Sequence, residues 1–123
     1  MTVPHSKKVF GQNGEQLAVQ YLLKRGYTIL GTNWHCAHGE LDIIAQQGEM
    51  IVFVEVRTRH ANSSEPAFAS ITPSKETKLM KSAYMYLADH DLSEQAWRID
   101  VIAIGVPRSG APIVDHTEDA LGW

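Results

Sequence analysis

In the stretch ELDIIAQQGEMIVFVEVR, residues 40–57, two strand-like runs flank a short polar turn. The runs at 40–45 and 50–57 are rich in β-branched and aliphatic residues. Between them, Gln46-Gln47-Gly48-Glu49 contains a turn glycine. We therefore predict an antiparallel hairpin.

The predicted hairpin presents acidic side chains on one face. Side chains alternate along a strand, so Glu40 and Asp42 point to the same side of the first run. In the second run, Glu55 and Arg57 share a face in the same way. A turn about Gly48-Glu49 sets Asp42 opposite Glu55. A turn centred one residue earlier sets Glu40 there instead, and both registers keep the acids on one face.

Carboxylates this close need a partner of opposite charge. Two of them about 7 Å apart repel by about 2 to 3 kcal/mol at an effective dielectric constant near 20. A hard divalent cation with oxygen ligands would offset the repulsion and could activate water. An ion pair with Arg57 is the alternative, and composition alone favours it, because charge pairs on sheets are common and usually structural.

The segment before the hairpin predicts a helix and a strand. Residues from about Gly11 to Arg25 carry an apolar stripe at helical spacing, and Gly26 provides a C-cap. Tyr27 to Asn33 then predicts the first strand.

The segment after the hairpin predicts a loop, a helix and a strand. Residues 58–71 are rich in Asn, Ser, Pro and small side chains, which is typical of a loop and compatible with a mobile flap. Thr72 and Pro73 favour a helix start, and an apolar stripe follows until about residue 89. Trp97 to Ile104 predicts the last strand.

Together these elements predict an α/β fold of order αβββαβ, a mixed β-sheet flanked by helices. We expect an N-terminal arm at 1–10, one domain at 11–106 and a C-terminal tail at 107–123. The length of 123 residues fits a single domain, and an apolar share of 44% supports a packed core. A single cysteine and no apolar leader predict a cytoplasmic protein without membrane insertion, while the net charge of −3 leaves the partner open.

A third acid could join the hairpin pair. Glu15 lies on the predicted first helix just before its apolar stripe, and Gly11 and Gly14 would permit a close backbone approach to the sheet. The alternative is a first-turn glutamate that the helix dipole favours.

Several segments in combination resemble a known family. They are 14–18 (GEQLA), 39–45 (GELDIIA), 52–57 (VFVEVR) and 98–104 (RIDVIAI), with Gly26-Tyr27, Asn33, Lys75 and Tyr86-Leu87. Over about residues 11–104 the chain resembles the YraN-like family of bacterial proteins. That family is placed in the restriction-endonuclease-like PD-(D/E)XK superfamily and is similar to archaeal Holliday-junction resolvases. The resemblance implies a restriction-endonuclease-like core and a Mg²⁺- or Mn²⁺-dependent nuclease that acts on DNA, including branched DNA.

The resemblance also implies roles for individual residues. Asp42 matches the superfamily's metal-binding aspartate, Glu55 the acid of its E-x-K element, and Glu15 a helical glutamate near the metal. The backbone carbonyl of Val56 would be a further ligand. The chain departs from the pattern at Arg57, which stands where the family motif has lysine.

This departure leaves two functions open. Arginine stays charged at ordinary pH, so Arg57 could hold a phosphate but could not act as a base. One hypothesis is an endonuclease with Asp42, Glu55 and Arg57 as catalytic residues. The other is a nucleic-acid-binding module that does not cleave. Related nucleases commonly act as dimers, so a homodimer is also an expectation.

Four cations are candidates for phosphate contact: Arg57, Arg59, Lys75 and Lys78. For the lysines the alternative is a solvated helix face. Elsewhere, Arg98 and Asp100 share a face of the last strand, and we predict a buried structural ion pair there rather than a catalytic role.

Overall fold

The computed structural model describes residues 7–121, without the side chains of Lys7 and Lys8. The elements are α1 (Lys7–Lys24), β1 (Thr28–Cys36), β2 (Gly39–Gln47), β3 (Met50–His60), α2 (Glu65–Ala69), α3 (Pro73–Asp89), β4 (Trp97–Val106) and β5 (Ile113–Thr117). Five strands form one sheet in the order β1-β2-β3-β4-β5, in which only the β3–β4 pair is parallel among the described strands. The predicted mixed sheet flanked by helices is confirmed.

The sheet is covered on both faces, which explains why its central strands are apolar throughout. On one face, Ala18 and Leu22 of α1 pack on a row of β3 side chains that includes Val52 and Val54. On the other, Leu79 of α3 and its neighbours pack on the alternate β3 row. Strand β3 is therefore buried on both sides, and a polar side chain on it must find a partner inside the protein.

The hairpin adopts one of the two predicted registers. Gln47 pairs with Met50 and Ile43 with Val54, so the two-residue turn is Gly48-Glu49. The start of α3 also follows the prediction, because the side chain of Thr72 accepts a hydrogen bond from the Lys75 N–H.

The predicted loop at 58–71 is corrected by the structure. β3 continues to His60, and the short helix α2 follows, with Ala67 fully buried. Gly105 of β4 makes this packing possible, since a Cβ atom there would lie 2.1 Å from the Ser63 carbonyl oxygen. The segment is thus anchored on the sheet rather than free to act as a flap.

Both ends of the expected domain differ from the prediction. Strand β5, within the segment 107–123 expected to be a tail, pairs with β4 and belongs to the sheet. Helix α1 already begins at Lys7, so part of the expected arm is helical, and residues 1–6 lie outside the described residues. Within 7–121, no helix combines the length and the hydropathy that crossing a membrane requires.

Candidate functional site

The site lies where the sheet divides. The β2–β3 ladder ends at the Ile43–Val54 pair, although β2 continues to pair with β1 as far as Gly39. Likewise, β3 continues to pair with β4 as far as His60. The two pairs of strands separate beyond Ile43, and we call the opening between them the fork.

Asp42 and Glu55 stand at the start of the fork, one residue beyond the last paired positions. A carboxylate oxygen of Asp42, Oδ2, accepts a hydrogen bond from the Val56 N–H at 2.9 Å. Asp42 therefore supplies a hydrogen-bond acceptor to β3 at a position where β2 and β3 no longer pair. Glu55, the residue before Val56, lines the same cleft as Asp42.

Glu15 reaches the fork because α1 approaches β3 closely at Gly14. A Cβ atom at Gly14 would lie 2.0 Å from the Oγ1 atom of buried Thr58, so glycine is needed there. Gly11 has no atom within 4 Å of an added Cβ, so the expected contribution of this second glycine is wrong. The close approach at Gly14 sets Glu15 against the same cleft as Asp42.

Glu40 is an acid of the site whose role the sequence interpretation did not assign. One carboxylate oxygen from each of Glu15, Glu40 and Asp42 lies within 4.8 Å of the others. The signal for Glu40 was present, because it lies two residues before Asp42 on the same strand. We call Glu15, Glu40, Asp42 and Glu55 the acidic cluster.

Asn33 joins two members of the acidic cluster. Its backbone has a φ of 52°, in the left-handed region that asparagine tolerates better than most residues. In the amide orientation that satisfies both acids, its nitrogen donates to Glu15 Oε2 and to Glu40 Oε1, each at 3.0 Å. The sequence pattern gives no indication of this contact, because an irregular φ within a strand leaves no periodic signal.

The acidic cluster is short of positive charge. Burial, followed by the charge of Asp42, raises the pKa of Glu55 to about 8. The same two causes raise the pKa of Glu15 to about 7. Burial also raises the pKa of Asp42, against the hydrogen bond from the Val56 N–H. Near neutral pH the cluster therefore retains protons that a bound cation would displace.

Arg57 only partly compensates this deficit. Its Nη1 atom lies 3.6 Å from Glu55 Oε1, while its Nε donates to Ser70 Oγ at 2.9 Å. Ser70 in turn donates to the Ala67 carbonyl at 2.6 Å, which fixes the hydroxyl as the acceptor for the guanidinium. The ion pair that composition favoured thus exists, yet the pKa of Glu55 stays high beside it.

All the residues predicted for the site line one cleft of about 570 Å³. They are Glu15, Asp42, Glu55, Val56, Arg57, Arg59, Lys75 and Lys78, and Glu40 lines it with them. Lys75, in the first turn of α3, lowers the pKa values of both Asp42 and Glu55 through its charge. The cleft therefore combines an acidic floor with a cationic rim, although the role of each residue stays a prediction.

The model of a family described as "Uncharacterised protein family UPF0102" matches residues 14–104, most of the chain. The chain belongs to the UPF0102 family. The expected YraN-like membership is thereby confirmed.

Relatives of this UPF0102 protein match it over most of their length. A UPF0102 protein of Chloroflexus aurantiacus is 45% identical over 121 residues, 98% of each chain. One of Roseiflexus castenholzii is 48% identical over 97 residues, 78% of each chain. One of Geotalea uraniireducens is 42% identical over 114 residues, 93% of this chain and 90% of that one. Their shared name gives the family and states no activity.

Proposed function

We propose that this UPF0102 protein is a metal-dependent nuclease of the PD-(D/E)XK type that hydrolyses phosphodiester bonds in DNA. The observation that carries the proposal is the acidic cluster, whose raised pKa values leave a deficit of positive charge beneath a rim of arginine and lysine. A divalent cation would fill the deficit, and the rim would hold a polyanion.

The chemistry of the donors fits Mg²⁺ or Mn²⁺. Only carboxylate oxygens form the group within 4.8 Å, namely those of Glu15, Glu40 and Asp42, and oxygen ligands suit hard cations. Glu55 and the backbone carbonyl of Val56 complete the proposed ligand set. When bound, such a cation supplies Lewis-acid activation of water and stabilises charge on the phosphate.

The chain's own residues would position the substrate. Arg57 is held between Ser70 and Glu55, so its guanidinium is fixed beside the acids and suits one phosphate. Arg59 and Lys78 line the same cleft and would contact the neighbouring phosphates.

Lys75 is the residue that best replaces the lysine missing from position 57. Its charge lowers the pKa values of both Asp42 and Glu55, and it lines the same cleft. Lys75 is exposed in the first turn of α3, so we assign it the task of orienting the attacking water or the phosphate through its positive charge.

A nucleic-acid-binding module without cleavage is the second candidate. The contacts that hold Arg57 favour it, because a guanidinium engaged by Ser70 and Glu55 gives a fixed phosphate contact and no base. Such a module would bind DNA with a strong salt dependence, and this binding would be retained after Glu55 is removed.

Incubation with linear, nicked and four-way-junction DNA in Mn²⁺ tests the proposal. We expect cleavage by the wild type and by Asp89→Asn, an exposed acid outside the cleft, and none by Asp42→Asn. Cleavage that is equal in Asp42→Asn and wild type would reject the proposed site. Salt-dependent binding of DNA without cleavage would support the second candidate instead.

A further inference from the structure

A second groove runs between α1 and the edge strand β1 and shares Glu15 with the cleft. It has a volume of about 640 Å³. The residues that line it are Gln12, Glu15, Gln16, Val19, Gln20, Thr32 and Asn33. We call it the amide groove, and it adjoins the acidic cluster through Glu15 and Asn33.

One face of α1 supplies most of the amide groove. Gln12, Gln16 and Gln20 follow at intervals of four residues, so their side chains stack along one side of the helix. All three are exposed, whereas Ala18, on the adjoining side of the helix, is fully buried in the core. The carboxamides therefore face the groove without serving the packing of α1.

Asn33 connects the amide groove to the cleft. Its side chain lines the groove, and its amide contacts both Glu15 and Glu40 of the acidic cluster. A ligand in the groove would therefore lie next to a phosphodiester held in the cleft.

The chemistry of the groove differs from that of the cleft. Among the described residues that line it, none carries a positive charge, so a phosphate would find no counter-charge there. A carboxamide offers a donor pair and an acceptor, which matches the donor and acceptor pattern on the edge of a nucleobase. The apolar side chain of Val19 adds a surface for the ring.

We propose that the amide groove binds a nucleobase adjacent to the phosphodiester held in the cleft, and that Gln16 with its neighbours Gln12 and Gln20 reads the edge of that base. This inference rests on the proposed function. DNA binding would then depend on one base next to the phosphodiester in the cleft as well as on the phosphates.

A scan with abasic DNA tests the inference by binding rather than by cleavage. Oligonucleotides with one abasic position each are titrated at low salt, in Ca²⁺ and in EDTA, and the dissociation constant is read by fluorescence anisotropy. For the wild type we expect one position at which loss of the base weakens binding about tenfold, the effect of one lost carboxamide–base contact.

The variants decide whether the amide groove is responsible. The triple variant Gln12→Ala/Gln16→Ala/Gln20→Ala should bind intact DNA about tenfold more weakly and show no further loss at the abasic position. Asn13→Ala, on α1 but outside both cavities, is the matched control and should retain the wild-type profile. If the triple variant shows no cooperative unfolding transition, and so is not properly folded, the single variant Gln16→Ala replaces it in the comparison.

The outcomes separate this inference from the proposed function. An abasic penalty that the glutamine variants retain, or a wild type with no sensitive position, overturns the inference and leaves the nuclease proposal intact. If no nucleic acid binds the wild type under either condition, both fail.

Discussion

The same sheet carries two groups of acidic residues, and their pKa values are shifted in opposite directions. Asp100 on β4 is fully buried and accepts hydrogen bonds from Arg98 at 2.9 Å and from the Asp119 N–H at 3.0 Å, while His116 lies 2.7 Å away. These contacts outweigh burial and lower the pKa of Asp100. At the acidic cluster, burial prevails and raises the pKa of Glu55 to about 8.

The difference separates an acid whose counter-charge lies within the chain from the acids that we propose bind a cation. The predicted structural pair of Arg98 and Asp100 has its positive charge within the chain, so it needs nothing more. Within the acidic cluster, Glu55 has Arg57 at 3.6 Å and the charge of Lys75, yet its pKa stays raised. Titratable groups left in such a deficit inside a cleft are typical of functional sites.

The largest effect that we expect is the loss of activity in Asp42→Asn. Removal of this carboxylate takes away a proposed metal ligand, so Mn²⁺-dependent cleavage should fall by about a thousandfold, or roughly 4 kcal/mol in the barrier. The free energy of unfolding of the metal-free protein should change little, because the amide oxygen can still accept from the Val56 N–H. Cleavage rates and urea unfolding in EDTA measure the two quantities.

The corresponding substitution of Asp100 on β4 should change the free energy of unfolding rather than the rate of cleavage. Asp100→Asn leaves Arg98 without its buried counter-charge, which should lower the free energy of unfolding by about 3 kcal/mol. Urea unfolding gives this value. The rate of cleavage per folded molecule should remain within a factor of about three, and a loss as large as that of Asp42→Asn would erase the distinction between the two groups.

The two groups of acidic residues should also respond differently to pH. Because the pKa of Glu55 rises from 4.5 to about 8 on folding, the native state binds more protons than the unfolded state between these values. Without metal, the free energy of unfolding should therefore fall, on the order of 2 kcal/mol, as pH rises from about 5.5 to about 8. Asp100, with its lowered pKa, contributes no slope in this window, since its stabilisation is lost only at more acidic pH.

The variant Glu55→Gln tests whether Glu55 causes this dependence of the free energy of unfolding on pH. The amide cannot ionise, so the variant should be more stable than the wild type at about pH 8 and should flatten the dependence on pH. Unfolding in urea with EDTA, at several pH values, gives the slope. A wild type whose stability rises with pH over this window would contradict the direction of the shift.

The smallest effect that we expect concerns Arg57. Arg57→Lys places a group that can lose its proton beside Glu55, and we expect Mn²⁺-dependent cleavage to rise about tenfold or less. Arg57 also donates to Ser70, and Ser70→Ala in the wild-type background measures how much this contact contributes to cleavage. Unchanged or lower cleavage in Arg57→Lys would favour the binding module.

Sequence patterns predicted the parts of the molecule that local chemistry specifies. Alternation within β3 placed Glu55 and Arg57 on one face, and the Thr72 cap placed α3. The pattern also left two hairpin registers open, since either kept the acids together. The choice between them depends on the turn at Gly48-Glu49.

Features that depend on contacts distant in sequence were missed. Strand β5 has only five residues and gains its place by pairing with β4. Helix α2 depends on the space that Gly105 leaves for Ser63. The local pattern placed Glu40 beside Asp42, but the approach of Glu15 from α1 to both of them depends on a contact distant in sequence.

Calorimetric titration of Mn²⁺ into the metal-free protein at about pH 7, in two buffers of different ionisation enthalpy, measures whether the acidic cluster binds a cation and releases protons. We expect saturable binding with net release of protons from the acidic cluster, and loss of both in Asp42→Asn but not in Asp89→Asn. Absence of saturable binding to the wild type, or the same binding and proton release in Asp42→Asn, would contradict this expectation.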